Sequence, residues 1–422
     1  MKFKNLSLAI ILATVPMTGV FAAALDRSGQ SIAAFLQPGN YAEAGIAILD
    51  ANVSGNVRGG YTPNPLISPE TLGLENTHTG SMADNYYFPT AALKIQLNDN
   101  FSFGLLYDQP FGAKASYKSN TKSNSTLSSV GLNMGAFHDG NGNGTTVKVD
   151  TQSLSLILGY QPTINWNIYA GPVYQEAKGD VALYGVAYGG NSNVGLSGYK
   201  AQIDRTGDFG WLVGAAYQIP EIALKASLTY RSEIKHDIDI KESKGQLNLS
   251  NIYKGSTKIT TPQSVNLDFQ TGVAADTVAF ANVRWVNWKD FSIQPYAFGK
   301  VTTSAQKPNG VDLVSYSKDQ WSANVGVGRK LSEKWGANIS VGWDSGAGNP
   351  VTTLGPTKGF WNLGVGAQYS PTENYFVQAG IKYFWLGDAK AQSGADFGTN
   401  NYVADFNDNH AIGYGLKFGY KF

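Results

Sequence analysis

The sequence predicts an all-β fold, a transmembrane antiparallel β-barrel of fourteen strands, and three observations predict it. The chain ends in a strand whose two faces separate. Tyr414, Leu416, Phe418, Tyr420 and Phe422 fall on one side, glycine and lysine on the other. A strand alternates its side chains with period 2, so such a segment sets one face in lipid and one in a lumen. Similar alternation recurs along the chain in segments that bring the total to fourteen, an even number as in bacterial barrels. The connections alternate strictly between tight turns and long polar loops, the arrangement of periplasmic turns and extracellular loops. An edge strand of a soluble sheet would account for the last residues and leave the sorted connections unexplained.

Residues 1–24 read as a cleaved secretory signal. Lys2 and Lys4 supply positive charge, 6–20 a short apolar stretch interrupted by Pro16 and Gly19, and 21–24 small residues for cleavage. The apolar stretch is shorter than the roughly 20 residues of a spanning helix. No long apolar run follows, as expected when each lipid-facing residue has a polar neighbour. Charged residues are only 15%, while glycine (49 residues) and aromatics (12%) are high. Glycine suits a crowded lumen, and Tyr and Trp suit the lipid–water boundary. The net charge of +1 argues against a nucleic-acid partner. The absence of cysteine excludes disulfides and thiol chemistry. No linker or shift in composition divides the chain after residue 24.

The strands follow in order. Segment 44–53 stands first. Segments 86–97 and 101–108 are joined by Asn98-Asp99-Asn100, and 149–160 and 167–177 by a turn opened at Pro162. Pro220-Glu221 joins 209–219 to 222–234, and Asp276-Thr277 joins 259–273 to 278–291. Ser332-Glu333-Lys334 joins 321–331 to 335–344, a turn at Pro371 joins 360–369 to 375–386, and 411–422 closes the set. These are turn-forming residues. The long polar segments 55–85, 114–148, 178–208, 235–258, 294–319, 345–358 and 387–410 stand between the hairpins. In 335–344, Trp335, Ala337, Ile339, Val341 and Trp343 face lipid, with a Trp at either interface. In 222–234 the same rule sends Leu224, Ala226, Leu228, Tyr230 and Ile234 outward, and Lys225, Ser227, Thr229, Arg231, Glu233 and Lys235 inward.

These faces put several apolar side chains in the lumen: Leu106, Leu212, Phe280, Val286, Phe360, Phe376, Phe384 and Leu386. A general pore wants a polar, water-filled lumen. Rings with a few cations, Arg284 among them, suit a ligand with a greasy tail and an anionic head. The alternative is that the rings pack a plug or one another. The third strand is abnormal. It runs into Asp108-Gln109-Pro110-Phe111-Gly112, where Pro110 cannot donate to a ladder and Gly112 weakens the strand. A barrel has no edge on which to hide a proline, so Pro110 marks either the strand's end or a break in the wall.

The chain resembles the long-chain fatty-acid transporter family of Gram-negative outer membranes, the FadL-like proteins that include aromatic-hydrocarbon uptake channels. The similarity is carried by Phe209-Gly210-Trp211-Leu212-Val213-Gly214 with Thr229-Tyr230-Arg231-Ser232-Glu233-Ile234-Lys235. Pro262, the segment Arg284 to Phe291, Trp335, Gly342-Trp343-Asp344-Ser345, Phe360-Trp361 and Phe422 follow in order. The resemblance implies a monomeric barrel over 43–422, plugged by residues 25–42 with Asp26, Arg27, Ser28, Gln30 and Phe35. It implies capture of a hydrophobic substrate by extracellular loops, a lumen site, and sideways release into the membrane at 108–112. Sideways release keeps the cargo's tail out of water, which would cost about 0.8 kcal/mol per CH₂. The implied partners are a fatty acid or hydrocarbon, outer-membrane lipid including lipopolysaccharide, and the barrel-assembly machinery, with no cofactor. Lumen candidates are Leu106, Lys178, Leu212, Phe280, Arg284, Phe360, Phe376 and Phe384, with Lys178 near a family head-group position. The chain departs from the family at the plug, which lacks an Asn-Pro-Ala motif, and after Trp288, where Pro295 stands near a family lysine. A neutral hydrocarbon therefore stays open beside a carboxylate. So does a reading of another class, a surface adhesin or receptor.

An enzymatic barrel would need a histidine placed beside a nucleophile or paired carboxylates. The four histidines, His78, His138, His236 and His410, lie in or beside expected loops and in no recognisable motif. Neither catalytic nor metal-binding residues are expected.

Overall fold

The computed structural model describes residues 25–62, 73–118, 134–190 and 195–422, so the expected signal segment lies outside the described residues. Fourteen antiparallel strands close on themselves. They are β1 (Tyr41–Asn52), β2 (Tyr86–Gln96), β3 (Phe101–Asp108), β4 (Thr146–Thr163), β5 (Trp166–Leu183), β6 (Tyr199–Ile219) and β7 (Leu224–Arg231). Then come β8 (Ser264–Ala274), β9 (Thr277–Val286), β10 (Gln320–Lys330), β11 (Trp335–Asp344), β12 (Phe360–Tyr369), β13 (Tyr375–Leu386) and β14 (His410–Lys421). Each pairs with the next, and β14 pairs with β1 from Tyr41↔Lys421 to Asn52↔His410. Closure removes the free edge that lipid cannot satisfy. The same sheet carries three short extra strands above the wall, Gly112–Ser116, Ile240–Lys244 and Leu247–Asn248.

Alternation located β3, β11, β12 and β13 to the residue. On β11 the outward Trp335, Ile339, Val341 and Trp343 are exposed, and the inward Ser340 and Asp344 are buried. Cross-strand pairs Trp285↔Trp321, Trp343↔Trp361 and Trp361↔Trp385 build an upper aromatic belt. Ring pairs Phe101–Tyr160, Trp166–Tyr217, Trp335–Tyr369 and Tyr375–Tyr420 build the lower one. Trp335 and Trp343 lie roughly 26 Å apart along β11 at ~3.3 Å per residue, the scale of a ~25 Å lipid-facing band. β4, β5 and β6 are 18, 18 and 21 residues long, about twice the ~9–11 that cross a bilayer. Their upper halves therefore stand clear on the extracellular side.

Three expected strands end early. β7 stops at Arg231, where Ser232 exchanges bonds with the Trp211 backbone. Pairing resumes one face out of step in Ile234–Ile238, which pairs with Thr257–Thr261. Ile234 is therefore buried while Glu233 and Lys235 are exposed, the reverse of the expected faces. A slip of one residue flips every side chain. The long segment 259–273 divides into that hairpin arm and β8, and β9 ends at Val286. Trp288 and Phe291 leave the wall and enter the core of the cap, with Trp288 edge-on to Phe291 and Tyr316 and its Nε1 bonded to Gln320 at 2.7 Å.

The extracellular connections form that cap. Gly55–Val57, Val351–Thr352, Ala389–Gln392 and Ala404–Phe406 make a small sheet. A short helix, Tyr296–Val301, is held where the Glu242 carboxylate accepts from the Ala297 and Phe298 amides and from the Tyr199 hydroxyl. At the periplasmic end Asn98 Oδ1 caps its own turn, accepting from Asn100 N and Phe101 N at 2.9 Å each.

The N-terminal segment lies inside the barrel. Phe35 is fully buried, edge-on to Tyr169 at 5.6 Å. Its slot exists because two wall strands carry glycine there. A side chain at Gly104 would run into the Phe35 ring, and a Cβ at Gly159 would sit 2.7 Å from its Cζ. Gly104→Val is expected to expel Phe35 while the barrel assembles. Losing a buried Phe contact is worth about 3–5 kcal/mol, so protease access to residues 25–40 should rise by a hundredfold or more. Unchanged protection of that segment in assembled protein would show that the slot does not hold it.

Candidate functional site

The site is a break in the wall and the plug that faces it. β3 pairs with β2 from Gln96↔Ser102 up to Ala91↔Tyr107 and then stops. β2 continues to Tyr86 paired with β1 alone. Continuing the register would set Pro89 against Gln109 and Phe88 against Pro110, and neither proline has an N–H to give. The two backbones join again where Ala83 bridges Ala115 and Ser116 N donates to Met82 O at 2.8 Å, and the Lys114 amine crosses the gap to Asn85 O at 3.4 Å. A window is left, framed by 84–90 on one side and 108–114 on the other. On its other flank the broken strand stays attached to β4. Asp108 pairs with Ser153 and Gly112 with Asp150, so three residues, 109–111, oppose two. That one-residue bulge turns the strand inward.

Inside the barrel the plug takes the place that β2 leaves. Arg27 N donates to Pro110 O at 2.7 Å, Gly112 N donates to Leu25 O at 2.8 Å, and Asp26 bridges Phe111. Phe111 N meanwhile donates to Thr151 Oγ1 on β4. Side chains repeat the join. Ser28 donates to Asp108 at 2.5 Å, and Arg27 Nε donates to Gly112 O. The opposite wall anchors the same segment. Arg284 Nε and Nη2 reach the two Asp26 oxygens at 2.8 and 3.0 Å, and its remaining donors reach Gln30 and Asn266. That ion pair is fully enclosed, with side chains 3% and 2% exposed. Ser264 adds a bond to Gln30 Oε1, and Asn266 one to Gly29 O.

Two cavities flank the plug. The lower one, about 150 Å³, lies on the periplasmic side. It reaches the wall at Thr90, Ala91, Leu106, Tyr107 and Asp108, directly beneath the window, and mixes Ile32, Leu36 and Phe280 with Lys225 and Arg231. The upper one, about 60 Å³, lies under the cap. Its walls are largely apolar, from Leu25, Val53, Val147, Val149, Ile293 and Leu354. Two cations touch it, Arg27 and Lys114. Arg27 sits over the Tyr86 ring at 4.3 Å. Burial pulls its pKa down from the ordinary value, and the Tyr86, Tyr316, Asp26 and Asp150 groups oppose that pull.

The expected site residues divide among these features. Leu106 and Phe280 line the lower cavity. Leu212 and Phe376 belong to the cluster around the plug, with Phe376 stacked on Tyr41. Phe360 and Phe384 pack edge-on to each other in the core below the cap. Arg284 holds the plug. Of the break residues, Asp108, Pro110 and Gly112 bond to the plug, Phe111 packs edge-on against Trp288, and Gln109 faces the outer side of the window. Lys178 does not enter the lumen. It pairs with Asp150 on the outward face that carries Leu154 and Tyr174 lower down, with a bulge at Ala177/Gly179. Its amine lies 3.8 Å from Asp150 outside the wall. Gly112 also differs from its reading as a weak point. It is already laddered to β4, and a Cβ there would come 2.8 Å from Val149 O. The sequence reading passed over Pro89, a second proline inside a wall strand and itself an edge signal. His236 is buried and bonded to Gln175 rather than a loop surface residue. Among the described residues no group of His, Asp or Glu is placed to hold a metal.

A closed fourteen-strand barrel with two aromatic belts, an internal plug and a broken third strand defines an outer-membrane channel. The family model for outer membrane protein transport protein (OMPP1/FadL/TodX) matches residues 31–422, and the chain belongs to that family. It is an outer-membrane uptake channel of the hydrophobic-substrate type. Among solved structures it is similar to a FadL homologue of Pseudomonas aeruginosa, with TM-score 0.67 and 17% identity over 97% of this chain and 99% of that one. The toluene transporter TodX of P. putida gives TM-score 0.59 and 14% identity over 92% and 91%. The toluene transporter TbuX of Ralstonia pickettii gives 0.56 and 11% over 97% and 99%. No curated protein matches the chain.

Removing one partner of a buried ion pair strands the other charge and costs about 3–5 kcal/mol. Asp26→Asn should therefore free the plug from Arg284 and from the break together. Hydrogen exchange at the Arg27 and Gly112 amides should accelerate by about a hundredfold while exchange in β11–β13 stays slow. Acceleration at only one of the two amides would show that plug and break are not joined.

Proposed function

We propose that this channel takes up long-chain fatty acids, captured at the extracellular cap, passed through the lumen and released sideways through the window at the third strand. The observation that carries the reading is the unpaired stretch of β2 beside the lower cavity. Unpaired wall backbone is tolerable in a membrane only where it lines a cavity or is covered by protein. The route has apolar walls for a tail and Arg27 for a carboxylate at the join between chambers. Passage requires the plug to give way, since Leu25–Arg27 separates the two cavities and covers the inner side of the window. Arg27 is a partner that an aliphatic acid uses and a neutral molecule does not.

Cavity size favours a second reading within the same class. A cavity of about 150 Å³ is the scale that holds one benzene ring. With the plug in place, the lower chamber suits a single-ring hydrocarbon better than an extended acyl chain, and the upper one is smaller still. TodX and TbuX, named for toluene, share the fold. An adhesin or receptor role draws no support from these features, since a barrel serving as scaffold needs neither window nor chambers.

Uptake of labelled oleate and of labelled toluene should be compared in cells expressing equal amounts of assembled wild type, Arg27→Gln and Gln109→Trp. Gln109→Trp should slow entry of whichever cargo is native by about tenfold, by filling the window. Arg27→Gln should slow oleate and spare toluene. Full uptake through Gln109→Trp would move the exit to a path past the plug into the periplasm. Toluene entry without oleate entry would replace the fatty-acid reading with the hydrocarbon one.

A further inference from the structure

The outer mouth of the window is charged in a way that neither channel nor plug accounts for. Lys114, on the short strand beyond the break, stands directly opposite Lys148 on β4. Like charges directly opposite destabilise a sheet. Lys178 on β5 and Arg205 on β6 join them around a cleft of about 240 Å³, with Asp150 and Glu176 as the acids on its lining. Asp84 lies 3.7 Å from Lys114, and Asp180 is Lys148's neighbour on β5. The acids leave the Lys148 and Lys178 donors unused, while Lys114 donates to Asn85 O at 3.4 Å. Asp150 is 3.7 Å from Lys148 and 3.8 Å from Lys178, too long for hydrogen bonds, and both amines remain about half exposed. Arg205 is held more firmly, at 2.7 Å from Glu176.

The height of the cleft identifies the ligand. Leu154 faces Tyr174 across β4 and β5, and the Tyr174 ring lies tilted against Phe209, centroids 5.0 Å apart, at the upper aromatic belt. Gln152 and Glu176 lie two residues above that level and Asp150 and Lys178 four, roughly 7 and 13 Å along the strands at ~3.3 Å per residue. The lipid headgroup layer, roughly 5–8 Å deep on each side of the hydrocarbon, meets the lower end of the cleft, and Lys148 and Lys114 stand six residues above the belt. The cleft also opens onto Tyr87 and Gln109, the outer frame of the window. We propose that it binds the phosphorylated headgroup of an outer-leaflet lipid, with Lys114, Lys148, Lys178 and Arg205 as phosphate donors. The bound lipid then lays an acyl chain along the unpaired edge at Tyr87 to Pro89.

The probe is bisphosphorylated lipid A, added to purified full-length barrel in detergent and followed by native mass spectrometry. Wild type should retain one lipid A, and enzymatically dephosphorylated lipid A should bind at least about tenfold more weakly. The triple variant Lys148→Gln, Lys178→Gln, Arg205→Gln should lose retention by about a hundredfold. Lys148→Arg with Lys178→Arg should keep it, and so should Lys235→Gln, a cation elsewhere on the rim. Heat-modifiable migration verifies assembly of each variant, and the arginine pair carries the test if the triple variant fails to assemble. Equal retention by the triple variant, or equal binding of dephosphorylated lipid A, would overturn the assignment. Complete displacement by millimolar inorganic phosphate would also overturn it, by showing a small-anion site instead of a lipid site.

Discussion

Everything distinctive about this barrel follows from one requirement, that backbone N–H and C=O groups at membrane depth must find partners. Thirteen of the fourteen strand interfaces meet it with ladders. The β2–β3 interface does not, because the chain places Pro89 on one side and Pro110 on the other. The plug meets part of the shortfall with Leu25–Arg27, bonded to 110–112 as a substitute strand. The substitute is not part of the wall, and side chains hold it in place. Asp26 with Arg284 fixes it to β9, Ser28 fixes it to Asp108, and Phe35 fills a slot cut by Gly104 and Gly159.

The geometry also explains why the lumen is neither a water pore nor a uniform greasy tube. Inward apolar side chains fall into groups with separate tasks. Phe360 and Phe384 support the cap, Leu212 and Phe376 seat the plug, and Leu106 and Phe280 line a cavity. A buried charge needs partners. Arg284 therefore has four oxygens around it and serves structure, whereas Arg27 lies at a chamber wall over an aromatic ring.

Much of the fold was legible because a barrel strand writes its two environments in alternate residues. β11 reads Trp-Gly-Ala-Asn-Ile-Ser-Val-Gly-Trp-Asp, alternating between the two environments with a Trp at either end of the lipid face. Strand ends were less legible wherever the chain stays apolar after leaving the wall. Trp288 and Phe291 extend the β9 pattern, yet they pack in the cap, because loop cores need large side chains too. Ile234 keeps its apolar character while changing face, which a two-residue interruption hides. Pro110 was visible, because proline within a strand violates a backbone rule. Its partner Pro89 obeys the same logic and shows that the break has two sides. Lys178 was misplaced because its lumen position was carried over from the family's head-group site, whereas alternation counted from Tyr174 already sets it on the outward face. The long-range pairs, Asp26 with Arg284 above all, leave no trace in one sequence.

On the proposed route the plug leaves the broken strand before cargo passes. The chain has no cysteine, so a single engineered pair reports cleanly. Ser28→Cys with Asp108→Cys replaces a 2.5 Å hydrogen bond by a reversible covalent bond at the same place. Uptake of labelled oleate and toluene is then measured in one batch of cells under oxidising conditions and after reduction. Oxidation should block uptake of the native cargo and reduction restore it, with uptake through each single-cysteine variant insensitive to the redox change. Undiminished uptake through the fully oxidised pair would contradict that route.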